Sequence, residues 1–63
     1  MGIELGNRIV TTIGNAVHVL TIVSIDPETD TLRAESEHAQ VSASIAGTNQ
    51  AAAFGTIRII SPA

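Results

Sequence analysis

The stretch Val17-His18-Val19-Leu20-Thr21-Ile22-Val23-Ser24-Ile25 runs directly into Asp26-Pro27-Glu28-Thr29-Asp30 and returns through Thr31-Leu32-Arg33-Ala34-Glu35-Ser36-Glu37. β-Branched side chains are stiff at χ1 and favour extended backbone over helix. Pro27 presets φ for the second position of a type I turn, and Asp26 suits the first. Asp30 then closes a four-residue loop in the left-handed region, which Asp tolerates better than most residues. These features commit the middle of the chain to a β-hairpin.

The turn also predicts a register. Asp26 is expected opposite Thr31, Ile25 opposite Leu32, Ser24 opposite Arg33, Val23 opposite Ala34, Ile22 opposite Glu35 and Leu20 opposite Glu37. Side chains alternate between faces along a strand, so a slip of one residue would exchange the two faces. The expected core face is Val17, Val19, Thr21, Val23 and Ile25 with Leu32, Ala34 and Ser36. The expected reverse face sets Leu20 and Ile22 beside Glu35 and Glu37. An apolar spot among charges calls for a partner, either another layer of the chain or a second copy.

The rest of the chain extends the β reading. Ile, Val and Thr make up 21 of the 63 residues. With Gly14-Asn15, Asp26–Asp30, Ala46–Asn49 and Ser61-Pro62 as turn or stop signals, strands are expected over 8–13, 16–25, 31–38, 40–45 and 55–60. Residues 50–54 fit either a helical turn or an extended arm. Five short strands at this spacing give an all-β fold, a small barrel or compact two-layer sheet of about five short antiparallel strands, with residues 1–63 as a single β domain.

A chain of this size buries only about 60% of the surface its unfolded form exposes, so its core is thin. Small domains usually add a disulfide, a metal or association with copies of themselves. The chain has no Cys, which removes disulfides and thiolate zinc sites, and Phe54 is its sole aromatic residue. Self-association is the remaining staple.

Lysine is absent, and Arg8, Arg33 and Arg58 stand against six carboxylates for a formal charge of -3. Nucleic-acid binders draw most of their affinity from clustered Lys and Arg, so this balance disfavours that role in a monomer, although a ring of copies could stack arginines into a belt. No basic, apolar leader of a signal peptide is present at the N-terminus. The uncharged runs 9–25 and 38–57 are too polar for a membrane span. The expected location is cytoplasmic, or within a particle assembled in the cytoplasm, without membrane contact.

Candidate chemistry is thin. Asp26, Glu28 and Asp30 alternate like the first ligands of a calcium loop, but Pro27 intrudes, no Gly follows Asp30 and no bidentate Glu follows at the required spacing. A solvated acidic turn is the better reading. His18 and His38 fall on different faces in the expected register, so neither a metal pair nor a switch is built within one chain. Glu35 and Glu37 share a face as a catalytic pair would, but a domain this small has little room for a water-excluding cleft. Nucleophile elbows and phosphate-binding loops are missing. The chain is therefore read as a non-enzyme, with no catalytic residues, cofactor or metal.

The leading functional expectation is a structural β module that self-associates or decorates a larger assembly as a coat or capsid-decoration subunit. Small β-rich virion accessory proteins are similar in general look, at the level of class alone. Candidate interface residues are Leu20, Ile22, Glu35, Glu37, Val41, Ala43 and Ile45. The small polar residues between Gln40 and Gln50 suit close backbone approach at a subunit seam, and equally a polar pocket or an ordinary exposed strand. The second reading is a ring-forming small barrel that binds RNA, DNA or a small ligand at its subunit interfaces; scarce aromatics and missing lysines weigh against it.

Overall fold

A computed structural model describes residues 3–61. Five strands and one helix follow in the order β1 (Arg8–Ile13), β2 (Ala16–Asp26), β3 (Thr31–Glu35), β4 (Gln40–Ser44), α1 (Ile45–Phe54) and β5 (Arg58–Ile60). The strands are antiparallel and form one sheet in the order β4-β3-β2-β1-β5. The all-β expectation holds as an open sheet with edges at β4 and β5. Its second layer is α1, which lies against one face of the sheet.

The hairpin turn forms as its residues dictate. Asp30 adopts φ 53°, the left-handed conformation expected of it. The Glu28 N–H donates to Asp26 Oδ1 at 3.1 Å, an Asx turn that fixes the entry to the loop. Beyond the loop, Asp26↔Thr31, Ile25↔Leu32 and Ser24↔Arg33 pair as the turn predicts.

Past Ser24 the expected register fails. Ile22 pairs with Ala34 and Thr21 with Glu35, so β2 carries one extra residue, Val23, with no counterpart on β3. This β-bulge exchanges the faces of the remaining strand. Leu20 and Ile22 become 2% and 1% exposed, whereas Val17, Val19 and Val23 are 69%, 50% and 46% exposed. The expected core face is thus corrected: Val17, Val19 and Val23 lie outside and Leu20 and Ile22 inside. The physical gain is one of size. Without the bulge, one face could hold either Ile25 or the pair Leu20 and Ile22; with it, all three larger side chains turn inward, together with Ile9, Leu32 and Ala34.

The strand end at Ile45, the stop expected over 46–49 and residues 50–54, for which a helical turn was one of two expectations, form a single helix. Ser44 stops β4 and becomes the N-cap, its Oγ accepting from the Gly47 N–H at 2.7 Å. The Thr48 hydroxyl, in the same first turn, donates to the Ser44 carbonyl at 2.8 Å. Gly55 ends the helix at φ 85°, and the Thr56 N–H returns to the Ala51 carbonyl. The strand expected over 55–60 consequently shortens to Arg58–Ile60, and that expected over 31–38 stops at Glu35.

Candidate functional site

Five of the seven candidate interface residues converge on the inner side of the sheet, and Glu35 and Glu37 lie apart from them. Leu20 and Ile22 are core residues. Val41, Ala43 and Ile45 are partly buried against that core on the inner side. Glu37 is exposed in the β3–β4 connection, where its carboxylate lies 3.8 Å from His38 Nε2. Of the seven, Glu35 stands on the outer face of the sheet, half-buried, where the Gln40 amide donates to its Oε2 at 3.1 Å.

The outer face has a composition of its own. Directly paired residues on neighbouring strands point to the same side, so the register defines rows across the sheet. One row reads Ile60, Arg8, Thr21, Glu35 and Gln40 from β5 to β4. The next reads Arg58, Val10 and Val19, and the one beyond it Thr12 and Val17. On the other side of the first row, the bulge brings Val23 and Ser24 opposite Arg33, which pairs with Ser42. Val17, Val19, Val23 and Ile60 form an exposed aliphatic surface with half-buried Val10 among them.

All three arginines of the chain stand on this face. Among the described residues no arginine lies within ion-pair distance of a carboxylate; the single such contact is between Glu37 and His38. Asp26, Asp30 and Glu35 of the hairpin accept hydrogen bonds from Glu28, Ala46 and Gln40. Asp30 accepts the Ile45 N–H at its carbonyl (3.1 Å) and the Ala46 N–H at Oδ1 (3.2 Å), tying the β2–β3 turn to the start of α1. An acidic group beside the first turn also complements the helix dipole. Two of the three alternating acids, Asp26 and Asp30, thus accept backbone N–H groups that hold the turn.

The inner side carries an open apolar groove of about 360 Å³ between α1 and the sheet, lined by Ile9, Leu20, Leu32, Val41, Ala43 and Ala51 among others. It exists because the helix presents Gly47, Thr48 and Ala51 to it, which are too small to fill it. Phe54, the one aromatic side chain, is 77% exposed. His18 pairs with Thr11 on β1, and His38 sits in the exposed β3–β4 connection. Among the described residues no group of three His, Asp or Glu side chains could hold a metal, and no helix is long and apolar enough to cross a membrane.

The fold and this surface define a class: a small antiparallel sheet with a helix on one face and an uncovered aliphatic and arginine-bearing surface on the other. Comparison with protein-family models, curated proteins and solved structures found no match.

Proposed function

We propose that the chain is a structural β module that works by packing its outer sheet face against protein, as a self-associating or assembly-decorating subunit. The observation that carries this reading is the exposure of Val17, Val19, Val23 and Ile60 on one sheet face. An antiparallel sheet commonly keeps one face in the core and gives the other polar residues. Here three exposed valines, Val17, Val19 and Val23, stand along β2 on the outer face, and exposed apolar surface rimmed by polar groups marks an interaction site. The reading has the chain act as a binding component without catalysis, in the cytoplasm or in a particle assembled there.

Sedimentation velocity tests it. The wild-type chain is expected to sediment as an oligomer at micromolar concentration. Val19→Lys is expected to shift it to monomer with an unchanged circular dichroism spectrum. A wild-type chain that remains a folded monomer up to millimolar concentration contradicts self-association.

A second reading draws on the three arginines sharing that face: a ring of copies that binds nucleic acid along an arginine belt. Retention on a nucleic-acid column that falls with salt supports it. Missing lysines, and Glu35 standing in the same row as Arg8, favour the protein–protein reading.

A further inference from the structure

We infer that the partner of the outer face is a second copy of this chain, packed face to face about a two-fold axis that runs along β2. This inference rests on the proposal that the face self-associates, and adds the geometry of the pair. Its basis is the placement of charge about β2. Arg8 on β1 and Glu35 on β3 both pair with Thr21 on β2, so they lie in one row on opposite sides of that strand, about one strand spacing of ~4.8 Å to each side. A two-fold axis along β2 keeps each row level and exchanges its two sides. Arg8 of each copy then stands over Glu35 of the other, twice in the dimer.

The same operation lays Val17, Val19 and Val23 of the two β2 strands over one another at the centre. Arg58, one row on and one strand further out, faces the β3–β4 connection of the second copy, where Glu37 stands. An isologous contact of this kind is closed and self-complementary. It also falls within the aligned packing of β-sandwiches, in which mean strand directions stay within about 30° of each other and the sheets stand ~10 Å apart. An arginine and a glutamate extending from opposite sheets can span that gap.

Other axes serve the face less well. An axis across the strands at Thr21 places Arg8 on Arg8 and Glu35 on Glu35. An axis across the strands midway between the Thr21 row and the Arg33 row would pair Arg33 with Glu35, but it centres the contact beside the bulge. Val17 and Val19 would then meet the Asp26 end of the second copy instead of each other. The axis along β2 alone satisfies both the valines and the row of charge.

The test is a charge exchange, read by sedimentation equilibrium at low ionic strength with folding checked by circular dichroism. Arg8→Glu and Glu35→Arg are each expected to weaken dimerisation on the order of tenfold or more, because each single change places like charges together at two symmetric sites. The double variant Arg8→Glu/Glu35→Arg is expected to return to within about threefold of wild type, a rescue that a reversed attractive pair requires. A wild-type dimer that the double variant does not restore overturns the axis while leaving self-association standing. Rescue of Glu35→Arg by Arg33→Glu instead overturns it in favour of the axis across the strands. A wild-type chain that is monomeric throughout overturns the inference together with the reading on which it rests.

Discussion

The two halves of the β2–β3 hairpin obey different rules. Near the turn, from Asp26↔Thr31 to Ser24↔Arg33, pairing follows from the loop chemistry of Asp26, Pro27 and Asp30. Beyond Val23 it follows from the core: the strand takes in one extra residue, and Leu20 and Ile22 occupy the inner face. Register is a local property of a turn only until enough apolar volume competes for the other side. The cost of the bulge is a disrupted stretch of ladder and an outer face left with the three smaller aliphatics of the strand. That consequence connects fold to function, because the displaced valines form the surface offered to a partner.

Giving Val23 a counterpart breaks the comparison most severely. One residue inserted between Arg33 and Ala34 restores strict alternation, so either Ile25 and Leu32 or Leu20, Ile22 and Ala34 must turn outward. Losing burial of two large side chains costs about 3–6 kcal/mol at ~1.5–3 kcal/mol per side chain. A single core in so small a domain rarely supplies more than ~3–5 kcal/mol. The insertion is expected to unfold the chain, seen as loss of the β signal in circular dichroism. Deleting Val23 instead leaves Leu20, Ile22 and Ile25 in regular alternation with every pair kept, and that variant is expected to stay folded; an insertion with unchanged midpoint in urea, or a deletion that unfolds, would contradict the bulged register.

Next in size is the contrast between neighbours on β2. Leu20→Ala removes a 2% exposed side chain and is expected to cost about 2–5 kcal/mol. Val19→Ala, at a 50% exposed position, is expected to change subunit stability by less than ~0.5 kcal/mol once association is suppressed by dilution. Urea unfolding of the two variants checks the pair, and equal costs would refute the assignment of faces. The same contrast removes Leu20 from the candidate interface: Leu20→Glu would place a charge in the core and unfold the subunit.

Smaller again is the effect at the turn. Asp30→Ala loses both a residue that tolerates the left-handed conformation and the carboxylate that accepts from Ala46, an expected loss of about 1–2 kcal/mol. Asp30→Asn keeps the conformation and an acceptor oxygen and is expected to lose less than ~1 kcal/mol. Thermal unfolding separates the two; an alanine variant as stable as wild type would show that the tie to α1 contributes nothing.

What the sequence disclosed follows the same division between local and distant causes. The bounds of β1 were readable because Gly14-Asn15 ends it abruptly, and the left-handed Asp30 because Pro27 set the loop. The bulge was hidden: Val23 lies between Ile22 and Ser24 with no Gly or Pro to mark it, and only the arrival of Ile9 and Ala34 against β2 decides which side chains turn inward. The helix was obscured because its signals resemble strand punctuation. Ser44 lay inside the strand expected over 40–45 and Gly55 looked like the start of another, yet they are the two caps of a ten-residue, alanine-rich segment. An N-cap Ser and a left-handed Gly flanking Ala51-Ala52-Ala53 were the available signal. The idea of a second face that seeks a partner survives as a proposal, carried by Val17, Val19 and Val23 in place of Leu20 and Ile22.

The chain has no cysteine, so single cysteines can be placed at neighbouring positions and labelled with a maleimide. Val19→Cys is expected to label slowly at high protein concentration and quickly on dilution, because its side chain is covered only by a second copy. Leu20→Cys is expected to stay protected at every concentration at which the subunit is folded. A Val19→Cys rate that does not change with concentration contradicts the outer face as the self-association surface, and a Leu20→Cys rate equal to it contradicts the bulged register itself.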